Sequence, residues 1–379
     1  MKYLQEYRDP GLAKNIIRQI VAEARSGVEY RLMEFCGGHT HAIFRYGIPD
    51  LLPDNIQLIH GPGCPVCVLP TSRIDAAIDL LRKHDVTLCT YADLLRVPAS
   101  DKNSLLKEKA GGADVRPVYS TQDALAIAQA EPHRQVIFFA IGFETTTPAT
   151  AFALKEAKSK SINNFSVFCN HVLTPAALGA ILNTNPGERQ TINGIIGPSH
   201  VSTIIGSHAY NKYATQYQLP IVIAGFEPLD VLQSILMLIR QINNNQFIVE
   251  NEYTRSVNAQ GNQIAQTLIS ETMEARESFE WRGLGIIPDS ALQIKQAYAE
   301  YDAEIRFTMS ITQGREQKGC ECPAVLRGTK RPTDCKLFAT VCRPDNPLGA
   351  CMVSSEGSCA AYWSYGRQQK PVSKQACSV

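Results

Sequence analysis

The sequence predicts an α/β protein: two similar parallel-sheet domains facing a cleft, followed by a third, loop-rich domain that carries most of the cysteines. Three observations lead there. Short apolar, β-branched runs alternate with helical stretches, the pattern of parallel strands covered by helices on both faces. About four such strands precede Pro132 and about four follow it. Seven of the twelve cysteines fall between Cys320 and Cys377, in a stretch punctuated by Gly319, Pro323, Pro332, Pro344, Pro347 and Gly349. The expected division is 1–131, 132–285 and 286–379.

A chain of 379 residues has ample length for two or three buried cores. With 37 basic and 36 acidic residues it carries no electrostatic footprint for nucleic acid or an anionic membrane. No uninterrupted apolar run is long enough to span a bilayer. The stretch from Met1 to Pro10 lacks the apolar core of a signal peptide, so a cytoplasmic location is expected. Structural disulfides are unusual there, and twelve cysteines then call for metal or redox chemistry.

In chain order, Leu12, Ile16, Ile17, Ile20, Val21 and Ala24 make one apolar helical stripe over 11–25. Tyr30 to Phe35 reads as a strand ending in Cys36-Gly37-Gly38-His39-Thr40-His41, where paired glycines permit a tight turn or a close approach. One thiolate and two imidazoles are a credible metal-ligand set, although turn histidines often only hydrogen-bond backbone. The strand Ile56 to Ile59 runs into His60-Gly61-Pro62-Gly63-Cys64-Pro65-Val66-Cys67, and Thr71-Ser72 is placed to cap a helix ending near Lys83. Cysteines at i and i+3 at a helix start share one side of a turn. Helix-start N–H groups lower thiol pKa, which suits redox work or a soft metal. The plain alternative is a buried pair of small hydrophobes.

Strands at Val86–Tyr91 and Val115–Tyr119 follow, and Ser120-Thr121-Gln122-Asp123 matches a capping box for a helix from Ala124 to Ala130. Beyond Pro132 come the strand Val136–Ile141, a helix Thr147–Lys158, the strand Phe165–Cys169 and a helix Pro175–Leu182. Then come the strand Ile192–Ile196, a helix Val201–Tyr213, the strand Ile221–Ala224, and helices Leu229–Ile242 and Val257–Met273. Gly61-Pro62-Gly63, Gly142-Phe143-Glu144-Thr145-Thr146, Gly197-Pro198-Ser199-His200 and Gly225-Phe226-Glu227-Pro228 all stand at strand exits. Ligands bind at the carboxyl ends of parallel strands. Cys36, Cys64, Cys67, Glu144, His200 and Glu227 are therefore expected on rims facing the cleft. Cys89 and Cys169 lie inside apolar runs and read as inert core.

The tail holds Cys320, Cys322, Cys335, Cys342, Cys351, Cys359 and Cys377. A loop-rich segment this short needs a cross-link or a cofactor. Disulfides, tetrahedral zinc and an iron–sulfur cluster compete. Cytoplasmic placement argues against disulfides, and the spacing from Cys322 through Cys335 and Cys342 to Cys359 lacks the paired knuckles of structural zinc. An iron–sulfur cubane, with one cysteine per iron, is favoured. Glu356 is the ionisable group of the neighbouring Met352-Val353-Ser354-Ser355-Glu356-Gly357.

With these residues in view, the chain resembles the HypD family of [NiFe]-hydrogenase maturation factors, nearly end to end. The likeness is carried by the Cys36–His41 and Gly61–Cys67 motifs, Gly142-Phe143-Glu144-Thr145-Thr146, His200-Val201-Ser202, Gly225-Phe226-Glu227-Pro228-Leu229-Asp230, Trp281-Arg282-Gly283-Leu284-Gly285 and Met352–Gly357. The resemblance implies a scaffold on which the Fe(CN)2CO unit of the hydrogenase active site is assembled. It implies a [4Fe–4S] cluster held by Cys322, Cys335, Cys342 and Cys359, with Cys320 and Cys351 as possible substitutes. Its partners are a small HypC-type chaperone and HypE, with HypF, as cyanide donor.

Cys36, Cys64 and Cys67 are expected to hold the iron and to carry the redox chemistry. His39, His41 and Glu356 are candidate proton carriers. Such a protein is an assembly scaffold with redox activity rather than a conventional turnover enzyme. The rivals are a cluster-dependent thiol–disulfide reductase acting on a partner protein, and a binding module whose cluster is structural.

Overall fold

The computed structural model describes residues 5–183 and 192–366; Cys377 lies outside them. Helix α1 (Pro10–Glu23) is capped by Asp9, whose carboxylate accepts from the Leu12 N–H at 2.8 Å. Strand β1 (Tyr30–Glu34) follows, then α2 (Gly37–Arg45), β2 (Ile56–His60), α3 (Pro65–Val68), α4 (Thr71–Lys83) and β3 (Val86–Thr90). Next are α5 (Leu105–Ala110), β4 (Val115–Pro117), α6 (Thr121–Ala130), β5 (Gln135–Gly142), α7 (Thr147–Ser159), β6 (Phe165–His171) and α8 (Thr174–Leu182). The chain continues with β7 (Gly194–Gly197), α9 (Ser199–Ile205), α10 (Asn211–Tyr217), β8 (Ile221–Ile223), α11 (Pro228–Asn243), β9 (Val249–Asn251) and α12 (Gln263–Thr272). It ends with β10 (Met273–Ala275), β11 (Ser278–Trp281), β12 (Gly285–Pro288), β13 (Leu292–Ile294), α13 (Ala303–Arg306), α14 (Cys322–Leu326) and α15 (Ser358–Tyr365).

Two parallel sheets carry the fold, as the sequence predicts. One has the order β2-β1-β7-β8-β9, the other β4-β3-β5-β6. Both are covered on two faces, and the two-residue period of a strand decides which side chain goes where. In β5, Val136, Phe138 and Ala140 join a core with Ala151 and Leu154 of α7, while Ile137, Phe139 and Ile141 join one with Ile74 and Ala77 of α4. In β1, Tyr30 and Leu32 pack toward α1 and α11, and Met33 faces Leu178 of α8.

The connectivity differs from the division read off the sequence. After β2 the chain leaves the first sheet, builds the whole second sheet, and returns for β7, β8 and β9. The 131/132 boundary falls between β4 and β5, which both belong to the second sheet. The 285/286 boundary falls inside the β11–β12 hairpin, where Trp281 pairs with Gly285. Apolar runs announce strands, but not which strand each one pairs with. The expected helix Val201–Tyr213 is broken at Gly206, and the expected helix Val257–Met273 starts only at Gln263. One contact explains both. Gly206 and Gly261 have φ of 78° and 71°, and a Cβ on either would lie 2.5 Å from the other's nitrogen. Ser120 and Asp123 form the expected capping box. Thr71 and Ser72 do not cap α4: Pro70 stands at its N-cap, and their hydroxyls donate to Glu316 and Glu280.

Among the described residues, the cysteine-bearing tail makes no separate core. Cys322, Cys342, Cys351, Met352 and Cys359 are buried together with Leu88, Ile137 and Phe139, and α15 packs along α2. No helix among the described residues is long and apolar enough to cross a membrane.

Candidate functional site

Cys36 follows β1 and is the N-cap of α2. The two glycines after it are needed for close approach, not for a left-handed turn. A Cβ on Gly37 would fall within the Glu356 side chain, and one on Gly38 would lie 2.5 Å from the Phe226 ring. The second cysteine loop interlocks with the first. A Cβ on Gly63 would stand 2.5 Å from the Cys36 nitrogen, and the Gly63 carbonyl accepts from the Gly37 N–H at 3.0 Å.

A cavity of about 290 Å³ opens beside these loops. Cys36, Gly63, Pro65, Val66 and His200 come from the carboxyl end of the first sheet, and Tyr91, Asp93, Phe143, Thr145 and Thr146 from that of the second. Glu356 closes it from the tail. Of the six residues expected on the rims, Cys36 and His200 line this cavity. The Cys36 Sγ lies 3.8 Å from His200 Nδ1 and accepts from the backbone N–H groups of Gly38 and His200. Burial outweighs those donors and, with Glu356 nearby, pushes the thiol up to about 12. Behind it, the buried Glu34 carboxylate accepts from Cys36 N–H at 2.9 Å, from His60 Nδ1 at 2.7 Å and from the Thr40 hydroxyl. Burial also raises Asp93 and Glu356, the latter helped by Asp93 and Glu34. His200 is lowered by its partial burial and by His39.

Cys64 and Cys67 are joined as a disulfide, with Cα atoms 5.2 Å apart and the Cys64 sulfur accepting from the Cys67 N–H at 3.2 Å. Both are almost fully buried, at 3% and 0% exposure. On one side of the pair, Gly63, Pro65 and Val66 line the Cys36 cavity. On the other, α3 packs against α14 and the turn Ala350–Met352, which carry Cys322 and Cys351. There, Cys320, Cys322, Cys335, Cys342 and Cys359 line a second, narrow cavity with Val325, Leu337, Phe338 and Met352.

Cys351 accepts from Cys322 and Cys359, which lowers its pKa, and Cys359 is correspondingly raised as the donor. Gly349 closes the thiol set, since a Cβ there would lie 2.5 Å from the sulfurs of both Cys320 and Cys322. Among the described residues no three His, Cys, Asp or Glu side chains group as a site for a single metal ion. A cubane asks for something else, namely thiols spread around a hollow, one per iron, in an apolar surround. The five cysteines supply the thiols for it, beside Val325, Leu337, Phe338, Met352 and the acidic Glu321.

The sequence model described as "HypD: Hydrogenase formation hypA family" matches residues 11–366. The chain belongs to the HypD family. It is 60% identical over 374 residues to a protein of Azotobacter vinelandii named hydrogenase maturation factor HypD, covering 98% of this chain and 99% of that one. A protein of the same name from Rhizobium leguminosarum bv. viciae is 59% identical, covering 98% and 97%. One from Escherichia coli is 44% identical, covering 97% and 99%.

The residues singled out from the HypD motifs separate in the structure. Cys36, His200 and Glu356 meet at the first cavity, and Cys322, Cys335, Cys342 and Cys359 at the second. Cys36 is the one free thiol among the three cysteines expected to hold iron, because Cys64 and Cys67 are bonded to each other. His39 is fully buried, with Nε2 3.1 Å from the Ala224 and Gly225 carbonyls and 3.0 Å from the Ser199 hydroxyl. It ties α2 to the β8 exit. His41 meets Tyr365 of α15, its Nε2 3.3 Å from the hydroxyl. Neither lines the cavity.

Glu144 and Glu227 also turn away from it. The first accepts from the Thr174 N–H and hydroxyl at the start of α8, and the second pairs with Arg8. Their strand exits point the right way, but helix-start donors and a cation nearby are stronger attractions. Cys89 and Cys169 are core residues as expected, with thiols pushed up by burial to about 12 and about 11. Sequence reasoning missed Asp93 and Glu34. Asp93 follows β3 as the other polar exits follow their strands, and Glu34 is the lone acid in an apolar run; each was a visible signal.

Proposed function

We propose that the chain is a hydrogenase maturation factor that holds the Fe(CN)2CO unit of the [NiFe]-hydrogenase active site during its assembly, the iron unit being cargo at Cys36. The carrying observation is a single free thiol in a cavity between two sets of strand ends, backed by a disulfide that also adjoins the cysteine-lined hollow. In this reading the two sheets face one another across a cleft, and the tail is an iron–sulfur domain.

Each residue has a derivable task. With its pKa near 12, Cys36 is a thiol at neutral pH, so an arriving cation must draw the proton off. His200 Nδ1, 3.8 Å away and held neutral by its surroundings, is the acceptor within reach. The thiolate so formed is a soft ligand suited to low-spin Fe(II). Opening the Cys64–Cys67 bond would take two electrons, breaking S–S and leaving two thiolates, each of which either takes up a proton or serves as a further iron ligand. Asp93 and Glu356, both shifted toward the protonated form, stand on the cavity wall as proton donors. Cys322, Cys335, Cys342 and Cys359 would hold a [4Fe–4S] cluster, which when bound would supply electrons one at a time beside that disulfide, so the two-electron opening also calls for an outside reductant that recharges the cluster. The reading calls for a small HypC-type chaperone to exchange the iron unit, and for HypE with HypF as cyanide source. It also calls for a cytoplasmic location.

A reductase acting on an outside protein fits less well, because the disulfide is too buried for another protein's sulfur to reach. Complementation tests the proposal. In cells lacking their own family member, the Cys36→Ala chain is expected to give no active [NiFe]-hydrogenase while keeping the cluster's visible absorbance. Normal hydrogenase activity from that variant overturns the role of Cys36.

A further inference from the structure

Arg282 is a buried cation whose hydrogen bonds are incomplete. Only 3% of it is exposed, and it sits where the residues after the disulfide loop meet, through Gly283, the start of α14 that carries Cys322. Its backbone N–H donates to the Val68 carbonyl at 2.8 Å and its Nε to the Leu69 carbonyl at 2.9 Å, the two residues directly after Cys67. Its Nη1 pairs with Glu316 at 2.8 Å, and Thr71 donates to the other oxygen of that carboxylate. Nη2 has no partner. On the tail side, Gly283 lies so close to Pro323, the residue after Cys322, that a Cβ would be 2.8 Å from its Cα.

A guanidinium N–H buried without an acceptor is costly, and buried polar groups are otherwise nearly always satisfied. The missing acceptor is an anion. Four thiolates around a [4Fe–4S] core carry net negative charge, and the core's sulfides and the thiolate sulfurs accept hydrogen bonds. We propose that the free N–H of Arg282 is the donor for the anionic group held by the tail cysteines. Arg282 is thereby a positioning residue that ties the charge of that group to the backbone of the Cys64–Cys67 loop. This rests on the reading that the second cavity holds a cluster. Its consequence is specific: a cation and donor at the cluster stabilise the reduced, more negative state and raise the reduction potential, while Glu316 opposes that effect.

The test is a redox titration of the full-length chain with its cluster reconstituted, monitored by electron paramagnetic resonance, with iron content measured alongside. Arg282→Gln is expected to keep the cluster but shift its midpoint to more negative potential, with Arg282→Lys falling between it and the native chain. Glu316→Gln, at a half-exposed position, leaves Arg282 charged and uncompensated. It is expected to move the midpoint the opposite way, while Arg282→Lys, which keeps the charge but not the guanidinium donor, is the variant a merely structural arginine leaves at the native midpoint. If Arg282→Gln fails to fold, Arg282→Lys decides: a full cluster at the native midpoint in that variant overturns the inference. A full cluster whose midpoint is unmoved by Glu316→Gln overturns the inference alone. A native chain that takes up no cluster overturns the cofactor reading and the inference with it.

Discussion

Cys36 stands at a helix start, where backbone N–H groups favour a thiolate, yet burial and the nearby Glu356 hold its thiol near 12. In the proposed reading, that burial protects the sulfur until a metal displaces its proton. Alkylation of Cys36 in the native, metal-free chain is accordingly expected to be far slower than that of a free thiol at pH 7 and to rise steeply in alkaline solution. Rapid labelling at neutral pH contradicts the assignment. Glu144 gives a second prediction at this scale. Burial raises its carboxyl from 4.5 to about 7, so the folded state holds that proton more tightly than the unfolded chain does. The stabilisation is complete below about pH 4.5 and is lost as pH rises through about 7, a change of about 3 kcal/mol. Relative to the native chain, Glu144→Gln is expected to gain stability in urea between about pH 5 and pH 8. A difference that stays constant across that range contradicts it.

At the scale of elements, the site is built by backbone that comes too close for a side chain. Gly38 meets a ring, which can rotate, whereas Gly63 meets the backbone of Phe35 and Cys36, which cannot move without breaking the loop contact. Gly38→Ala is expected to cost about 1–3 kcal/mol by overpacking and to displace Phe226 from His200, where the ring centroids now lie 4.2 Å apart. Gly63→Ala is expected to cost more, and chemical denaturation that ranks the two the other way contradicts this account. The sequence made the elements themselves legible, because Ile56–Ile59 or Val136–Ile141 reads as a buried strand by apolarity alone. Helix breaks at Gly206 and Gly261 were not legible, since they arise where two glycines far apart in sequence meet. The side chains of Glu144 and Glu227 were misread for a related reason: a strand exit fixes where a residue sits, and local partners decide where it points.

For the whole molecule, the arrangement that matters is the order of three sulfur groups: the Cys36 thiol, the buried disulfide, and the tail thiols. Although Cys64 and Cys67 were read as iron-holding thiols rather than as a disulfide, the motifs marked the cysteines of all three groups. Their order was not foretold, because it depends on the chain leaving the first sheet after β2 and on the tail packing into the core of the second. The account's central claim, that this cavity carries the iron unit, is open to one direct measurement. The chain is isolated without oxygen from cells co-expressing its expected maturation partners, and an infrared spectrum is recorded where metal-bound CO and cyanide stretch. The account predicts both sets of bands on the native chain and their loss in Cys36→Ala. A spectrum without bands, from protein holding a full and redox-active cluster, contradicts it.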